Sequence, residues 1–192
     1  MDGGVLTASV AMNAQVAADR QVQTWVDLHY DFTWRSLRRL GVAQADSDDA
    51  AQQVFLVASR KAGSIRSGCV RAFLFQTALR VAADFRRACR RRRESSIDDL
   101  ECSNVADSSP LSDELVELRR ARERLDQILD NMSLEVRAVF VLHEIDQMTM
   151  NDIASLIGIP VGTVASRLRR ARQVFFANVE GVAGDLAPEE GT

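Results

Sequence analysis

Cysteine is scarce in this chain, and the three present, Cys69, Cys89 and Cys102, stand at wide spacings. An odd number so placed neither builds a disulfide framework nor offers the close pairs that zinc sites use, so reduced thiols are expected. Proline occurs only three times and Tyr30 is the sole tyrosine. Ala, Leu, Arg and Val dominate instead, which favours long helices over a twisted sheet with many turns. No apolar run approaches the roughly 18 to 20 residues that cross a bilayer. The opening Met1, Asp2, Gly3, Gly4 lacks the basic and then apolar pattern of a secretory signal, so a cytoplasmic protein with no membrane insertion of its own is expected. His29 and His143 are the only histidines. Each lies in a helical pattern without a Cys, Asp or Glu partner at metal or triad spacing, so both read as structural and no metal, cofactor or catalytic residue is expected.

What is there fits a globular protein. The 192 residues are 46% hydrophobic and 27% charged, enough for one medium domain or two small ones with a buried core, and outside the range of disordered chains. The fold class expected is all-α.

Lysine is nearly absent too: Lys61 stands alone, and 23 of the 24 cations are arginine. The planar fork of arginine suits phosphates and guanine edges, although a coding bias would enrich it equally. The net charge of -3 hides a sorting into blocks. From Arg60 to Arg93 eleven positive residues face Asp84 alone, a polyanion-binding stripe; from Glu94 to Leu118 there are eight acids and no base.

Helical periodicity organises the chain. Val22, Trp25, Leu28, Phe32, Leu37 and Leu40 mark a first long helix within 14–41, whole or broken, ended by Gly41. Trp25, Phe32 and Trp34 fall at helical spacing and read as core. Asp46, Ser47, Asp48 and Asp49 supply the cap and first-turn acids of a second helix reaching about Lys61. Gly63, Ser64, Ser67 and Gly68 form a loop. From Val70 a third helix carries Phe73, Leu74, Thr77, Ala78, Val81 and Phe85 inward and runs on into the arginines. Residues 94–112, with Ser, Asp, Asn and Pro110, read as a flexible acidic linker between two small helical domains, 14–93 and 113–178. In the second, one helix holds Leu115, Leu118, Leu125, Ile128 and Leu129, and another, capped by Ser133, extends to about Asp146. Two shorter helices follow: one from about Met150 to Leu156, ended by Gly158, and one that starts after Pro160 and runs to about Phe176. The acidic tail from Asn178 onward is expected to fray.

Between those last helices, Ile157-Gly158-Ile159 makes a tight turn with small Ala154 four residues before the glycine, as a helix-turn-helix requires for its helices to cross closely. The second helix would enter the major groove with Gly162, Thr163, Ala165 and Ser166 toward bases and Arg167, Arg169, Arg170 and Arg172 toward phosphates or flanking bases. An αα-corner with a solvated basic face would show much of the same pattern.

The run from Met150 to Arg172, and above all Ile-Pro-Val-Gly-Thr-Val-x-Ser-Arg-Leu-x-Arg-Ala-Arg, resembles the C-terminal DNA-binding region of the extracytoplasmic-function sigma factors of bacterial RNA polymerase, in the sigma-70 family. The resemblance implies that this helix reads the minus-thirty-five promoter element through Thr163, Ala165, Ser166, Arg167 and Arg170; alanine at 165 stands where lysine is frequent. Asp49-Ala-Ala-Gln-Gln-Val-Phe-Leu is similar to the segment with which these factors grip the polymerase, implying contacts by Asp49, Gln52, Gln53 and Phe55. Gln53 stands where glutamate is usual, and an ordinary capped amphipathic helix would look alike. The helix from Val70 to Arg93 resembles the family's minus-ten melting element, with Phe73 for the common tryptophan and Arg80 for the common asparagine. It implies DNA contacts by Arg80, Asp84, Arg87, Arg90 and Arg91, on a surface that could trap an unstacked base and hold the displaced strand.

The resemblance covers about residues 20 to 178. It implies a non-enzymatic initiation factor whose partners are bacterial core RNA polymerase, promoter DNA and, in many members, an anti-sigma factor. The acidic linker is consistent with imitating nucleic acid in the polymerase, or with a plain solvated spacer. The rival reading is a stand-alone helix-turn-helix regulator, against which the Arg60 to Arg93 stripe argues. An enzyme acting on nucleic acid finds no supporting carboxylate cluster or nucleophile with its base.

Overall fold

The computed structural model describes the backbone of residues 3–95 and 113–184, and side chains over 20–92 and 115–179. All regular structure among these residues is helical: α1 (Gly3–Arg39), α2 (Ser47–Arg60), α3 (Val70–Ser95), α4 (Asp113–Asp130), α5 (Leu134–Phe140), α6 (Met150–Ile157) and α7 (Val161–Gly184). The chain divides into two compact units, the first holding α1 to α3 and the second α4 to α7. From residue 96 on, the expected linker lies outside the described residues.

In the first unit α1 is one unbroken helix, since no Gly or Pro interrupts 5–40. It starts well before the expected residue 14. Its end is sharp because Gly41 takes φ +94°, a left-handed turn that lets the Val42 amide donate back to the Leu37 carbonyl at 3.1 Å. The apolar face of α2 is largely alanine: Ala50, Ala51 and Ala58 are buried with Val54, against a face of α3 that buries Leu74, Phe75, Ala78 and Ala82. Small residues at the seam let the two backbones lie close. Trp25 joins this buried set, whereas Phe32 and Trp34 are only half buried, at the margin of the core.

The second unit is built on Ile128, Leu129, Met132, Val136, Phe140, Val141 and Ala171, with Leu125, Val174 and Phe175 packed against them. The rings of Phe140 and Phe175 stack at 5.2 Å between centroids, tying α5 to α7. The helix expected from Ser133 to Asp146 is α5 followed by one π turn, Val141–Ile145, closed by the Asp146 amide on the Val141 carbonyl at 3.0 Å. Its widened backbone lets Val141 and Leu142 stay in the core while His143 and Glu144 turn toward α7. The expected cap Ser133 sits at the N-cap with extended backbone, but its hydroxyl makes no capping bond; its carbonyl receives the Val136 and Arg137 amides. Where fraying was expected after Asn178, α7 continues to Gly184.

Candidate nucleic-acid interface

The helix-turn-helix is assembled from backbone economics that the sequence spells out. Thr149 opens α6, its hydroxyl accepting the Asp152 amide at 3.2 Å and donating to the Asp152 carboxylate at 2.7 Å, a reciprocal cap that also places an acid at the positive helix end. Gly158 then takes φ +79°, a conformation that costs a residue with a Cβ. With it, the Gly158 and Ile159 amides both reach the Ala154 carbonyl, at 2.9 and 3.1 Å, and the helix closes. Pro160 follows where a helix cannot continue, and its carbonyl accepts the Thr163 and Val164 amides to start α7. Ile153, Ala154 and Leu156 of α6 are buried together with Val164, Leu168 and Ala171 of α7.

That inward stripe decides where the other α7 side chains point. Ser166 and Arg170 are exposed on the far side of the stripe, with Thr163 and Arg167 half exposed beside them. The Ser166 hydroxyl donates to the Thr163 carbonyl at 3.0 Å and keeps its acceptor lone pairs. Ala165 departs from this group, since the helical period turns it to the opposite flank. There it lines a shallow groove of about 560 Å³ with His143, Met150, Leu168, Arg169, Arg172, Gln173 and Phe176, the last 59% exposed. The guanidinium of Arg172, 49% exposed, meets one oxygen of Glu144 through Nε at 2.9 Å and Nη2 at 2.7 Å.

In the first unit, Arg80, Asp84, Arg87, Arg90 and Arg91 all lie exposed along α3. Asp84 and Arg87, one turn apart, form an ion pair with each other, which lowers the local positive charge that a nucleic acid would meet. The Ala62 to Cys69 loop consists of two short 3₁₀ turns and exposes Gly63, Ser64, Arg66, Ser67 and Gly68 beside α3. Arg71, in the first turn of α3, covers the Phe32 ring at 4.4 Å, a cation–π contact that binds α3 to α1. The same arginine, after burial itself, pushes the nearby His29 imidazole below its ordinary pKa.

On α2, Asp49, Gln52 and Gln53 share an exposed face. Phe55 does not belong to it. The ring is 7% exposed and stacks at 6.4 Å on Tyr30, because the period that turns Val54 and Ala58 inward takes Phe55 with them; Leu56, 49% exposed, occupies the outer position instead. The sequence reading also missed Asp48, whose Oδ1 accepts hydrogen bonds from Tyr30 at 2.8 Å and Trp34 at 2.9 Å. The i, i+4 spacing of two polar-tipped aromatics before an acidic cluster was the available signal.

The fold and these surfaces define a two-unit helical protein with a helix-turn-helix whose second helix is rich in arginine. Residues 118–174 match the family described as Sigma-70, region 4. Over 182 residues the chain is 26% identical to the ECF RNA polymerase sigma-E factor of Escherichia coli K12, covering 91% of this chain and 95% of that one. It is 29% identical over 154 residues to the ECF RNA polymerase sigma factor SigE of Mycolicibacterium smegmatis, covering 78% of this chain; it spans 59% of that relative's length. Among solved structures, CnrH in complex with the cytosolic domain of CnrY has a similar fold, with a TM-score of 0.60 at 23% identity over 89% of this chain and 95% of that one. The sigma factor RpoE in complex with the anti-sigma factor NepR from Bartonella quintana follows at 0.55 and 19%, over 82% and 96%. The chain thus carries region 4 of the sigma-70 family in residues 118–174 and is similar to extracytoplasmic-function sigma factors over most of its length.

Proposed function

We propose that this chain serves bacterial core RNA polymerase as an initiation factor, with no catalysis of its own, working in the cytoplasm. The observation that carries the reading is α7: seated by the Gly158 turn, it presents Thr163, Ser166, Arg167 and Arg170 together on one side, within the stretch matching region 4 of the family. An N-terminus-first entry into the major groove would bring Thr163 and Ser166 to base edges of the minus-thirty-five element and Arg167 and Arg170 to phosphates or bases. Ala165, turned to the groove, would contribute least.

The first unit supplies the remaining parts. Asp49, Gln52, Gln53 and Leu56 form a polar face with one apolar centre for docking on polymerase. Arg80, Asp84, Arg87, Arg90, Arg91 and the Ala62 to Cys69 loop serve the minus-ten element, where a flipped base and a displaced strand need a pocket beside a positive surface. The domains at 14–93 and 113–178 would reach the two promoter elements at once through the acidic segment between them. Two structural neighbours were solved with partner chains, the cytosolic domain of CnrY and the anti-sigma factor NepR, and an anti-sigma factor is the partner we expect to hold this chain inactive.

Transcription by purified core polymerase on fragmented genomic DNA from the same bacterium, with and without the protein, tests this reading. Discrete new start sites sharing two upstream motifs are expected. A protein that adds no start sites, does not co-sediment with core, and binds a palindromic operator alone would be the stand-alone regulator instead.

A further inference from the structure

The buried face of α2 is mostly small, Ala50, Ala51 and Ala58, with Val54 and Phe55 its larger buried side chains and Phe55 stacked on Tyr30 of α1. A surface so smooth holds two helices close but offers few protrusions to fix rotation of one about its own axis. Rotation matters on this helix, because Asp49, Gln52 and Gln53 make no side-chain hydrogen bond of their own and point wherever α2 turns them. Asp48 is the residue just before that face. Its Oδ1 takes a hydrogen bond from the Tyr30 hydroxyl at 2.8 Å and from Trp34 Nε1 at 2.9 Å, two donors one turn apart on α1. Tyr30 in turn lays its ring on Phe55, two turns further along α2, at 13° between planes.

We infer that Asp48 is a positioning residue: by anchoring the first turn of α2 to Tyr30 and Trp34, it sets the rotation at which the Asp49, Gln52, Gln53 face meets polymerase. The inference rests on the proposed docking role of that face. Two contacts about two turns apart along α2, the Asp48 anchor and the Phe55 ring stack, resist rolling where either alone would act as a pivot. Both donors converge on one carboxyl oxygen, so the two bonds together fix its position. Tyr30 reports the anchor directly: its hydrogen bond to Asp48 first, then burial and the charges of Asp48 and Asp31, raise its phenol pKa above the ordinary value of 10.0. As the only tyrosine, it can be titrated by absorbance without interference.

The test compares full-length wild type with D48A, D48N, Y30F and D49A, each shown folded by circular dichroism at the assay temperature. Affinity for core RNA polymerase is measured for every variant, and the Tyr30 titration for each that retains the tyrosine. D48A is expected to bind core about tenfold more weakly, the worth of two modest hydrogen bonds, and to return Tyr30 toward its ordinary pKa. D48N keeps an oxygen that accepts both donors and is expected to restore binding to within about twofold. Y30F, which removes one donor and leaves the ring on Phe55, keeps the inference testable if D48A does not fold; a several-fold loss is expected. D49A weakens binding while leaving the Tyr30 titration unchanged, which separates contact from positioning. Folded D48A or Y30F binding core as tightly as wild type overturns the inference alone, with D49A still weakened. A wild-type protein that does not bind core overturns the docking reading, and the inference with it.

Discussion

Glu144 holds Arg172 through a single carboxylate oxygen, 2.9 Å from Nε and 2.7 Å from Nη2, joining the π turn to the flank of α7. Both side chains are partly exposed, so the pair adds little stability, about 0 to 1 kcal/mol. Its consequence is directional: Arg172 is drawn toward Glu144, while Arg170 stays on the open side. Replacing Arg170 with Ala should reduce the slope of log affinity against log salt for the polymerase-bound factor on promoter DNA by about 0.9, one phosphate's worth. R172A should leave that slope where it was. Filter binding or anisotropy across a salt series reads both, and equal slopes for the two variants would contradict the assignment.

The reciprocal Thr149 and Asp152 cap predicts a local stability effect. Thr149→Ala leaves the Asp152 amide without its acceptor and should cost about 1 kcal/mol, while Thr149→Ser should cost far less. Thermal unfolding followed by circular dichroism checks the pair.

Gly158 predicts a larger one. At φ +79° a Cβ meets its own backbone, so Gly158→Ala should destabilise the second unit by about 1 to 2 kcal/mol, and Gly158→Asn by less, since Asn tolerates this region better. Urea unfolding of the three proteins should rank them glycine, asparagine, alanine.

Thr33 is 1% exposed, and its hydroxyl has no hydrogen-bond partner. The near-isosteric Thr33→Val removes a buried polar group without changing shape and should raise stability by about 1 kcal/mol. A lower melting temperature for the valine variant would mean that the hydroxyl is satisfied in solution.

His29 gives a pH signature. Burial, and then Arg71, hold its pKa below the ordinary value of 6.5, so the unfolded chain binds this proton more readily than the native one. The stability linked to neutral His29 is complete above about pH 6.5 and is lost as pH falls through the lowered folded value. Denaturant midpoints measured from pH 7.5 down to 5 should fall less steeply for His29→Gln than for wild type.

Most helices were legible because their signals are local. The glycine at 158 followed by Pro160, the Val164, Leu168, Ala171 stripe, and the alanine-rich face of α2 each act within a few residues of chain. The π turn was not legible, since nothing in 141–145 distinguishes it from α-helix until the core demands Val141 and Leu142 while α7 offers Arg172 to Glu144. Helical period lets both Phe55 and Leu56 turn toward the core, and packing with Val54 and Ala58 buries only Phe55, leaving Leu56 outside.

The sequence alone thus determined the all-helical class, the order of the helices, the turn that makes the helix-turn-helix and the sorting of charge, because each follows from propensity and period over short stretches. Tertiary packing alone decided that Arg172 meets Glu144 and which carboxylate of the Asp46 to Asp49 cluster anchors α1. Those outcomes depend on side chains such as Tyr30, Trp34 and Asp48 that are distant along the chain, and no local pattern specifies the angle at which their helices meet.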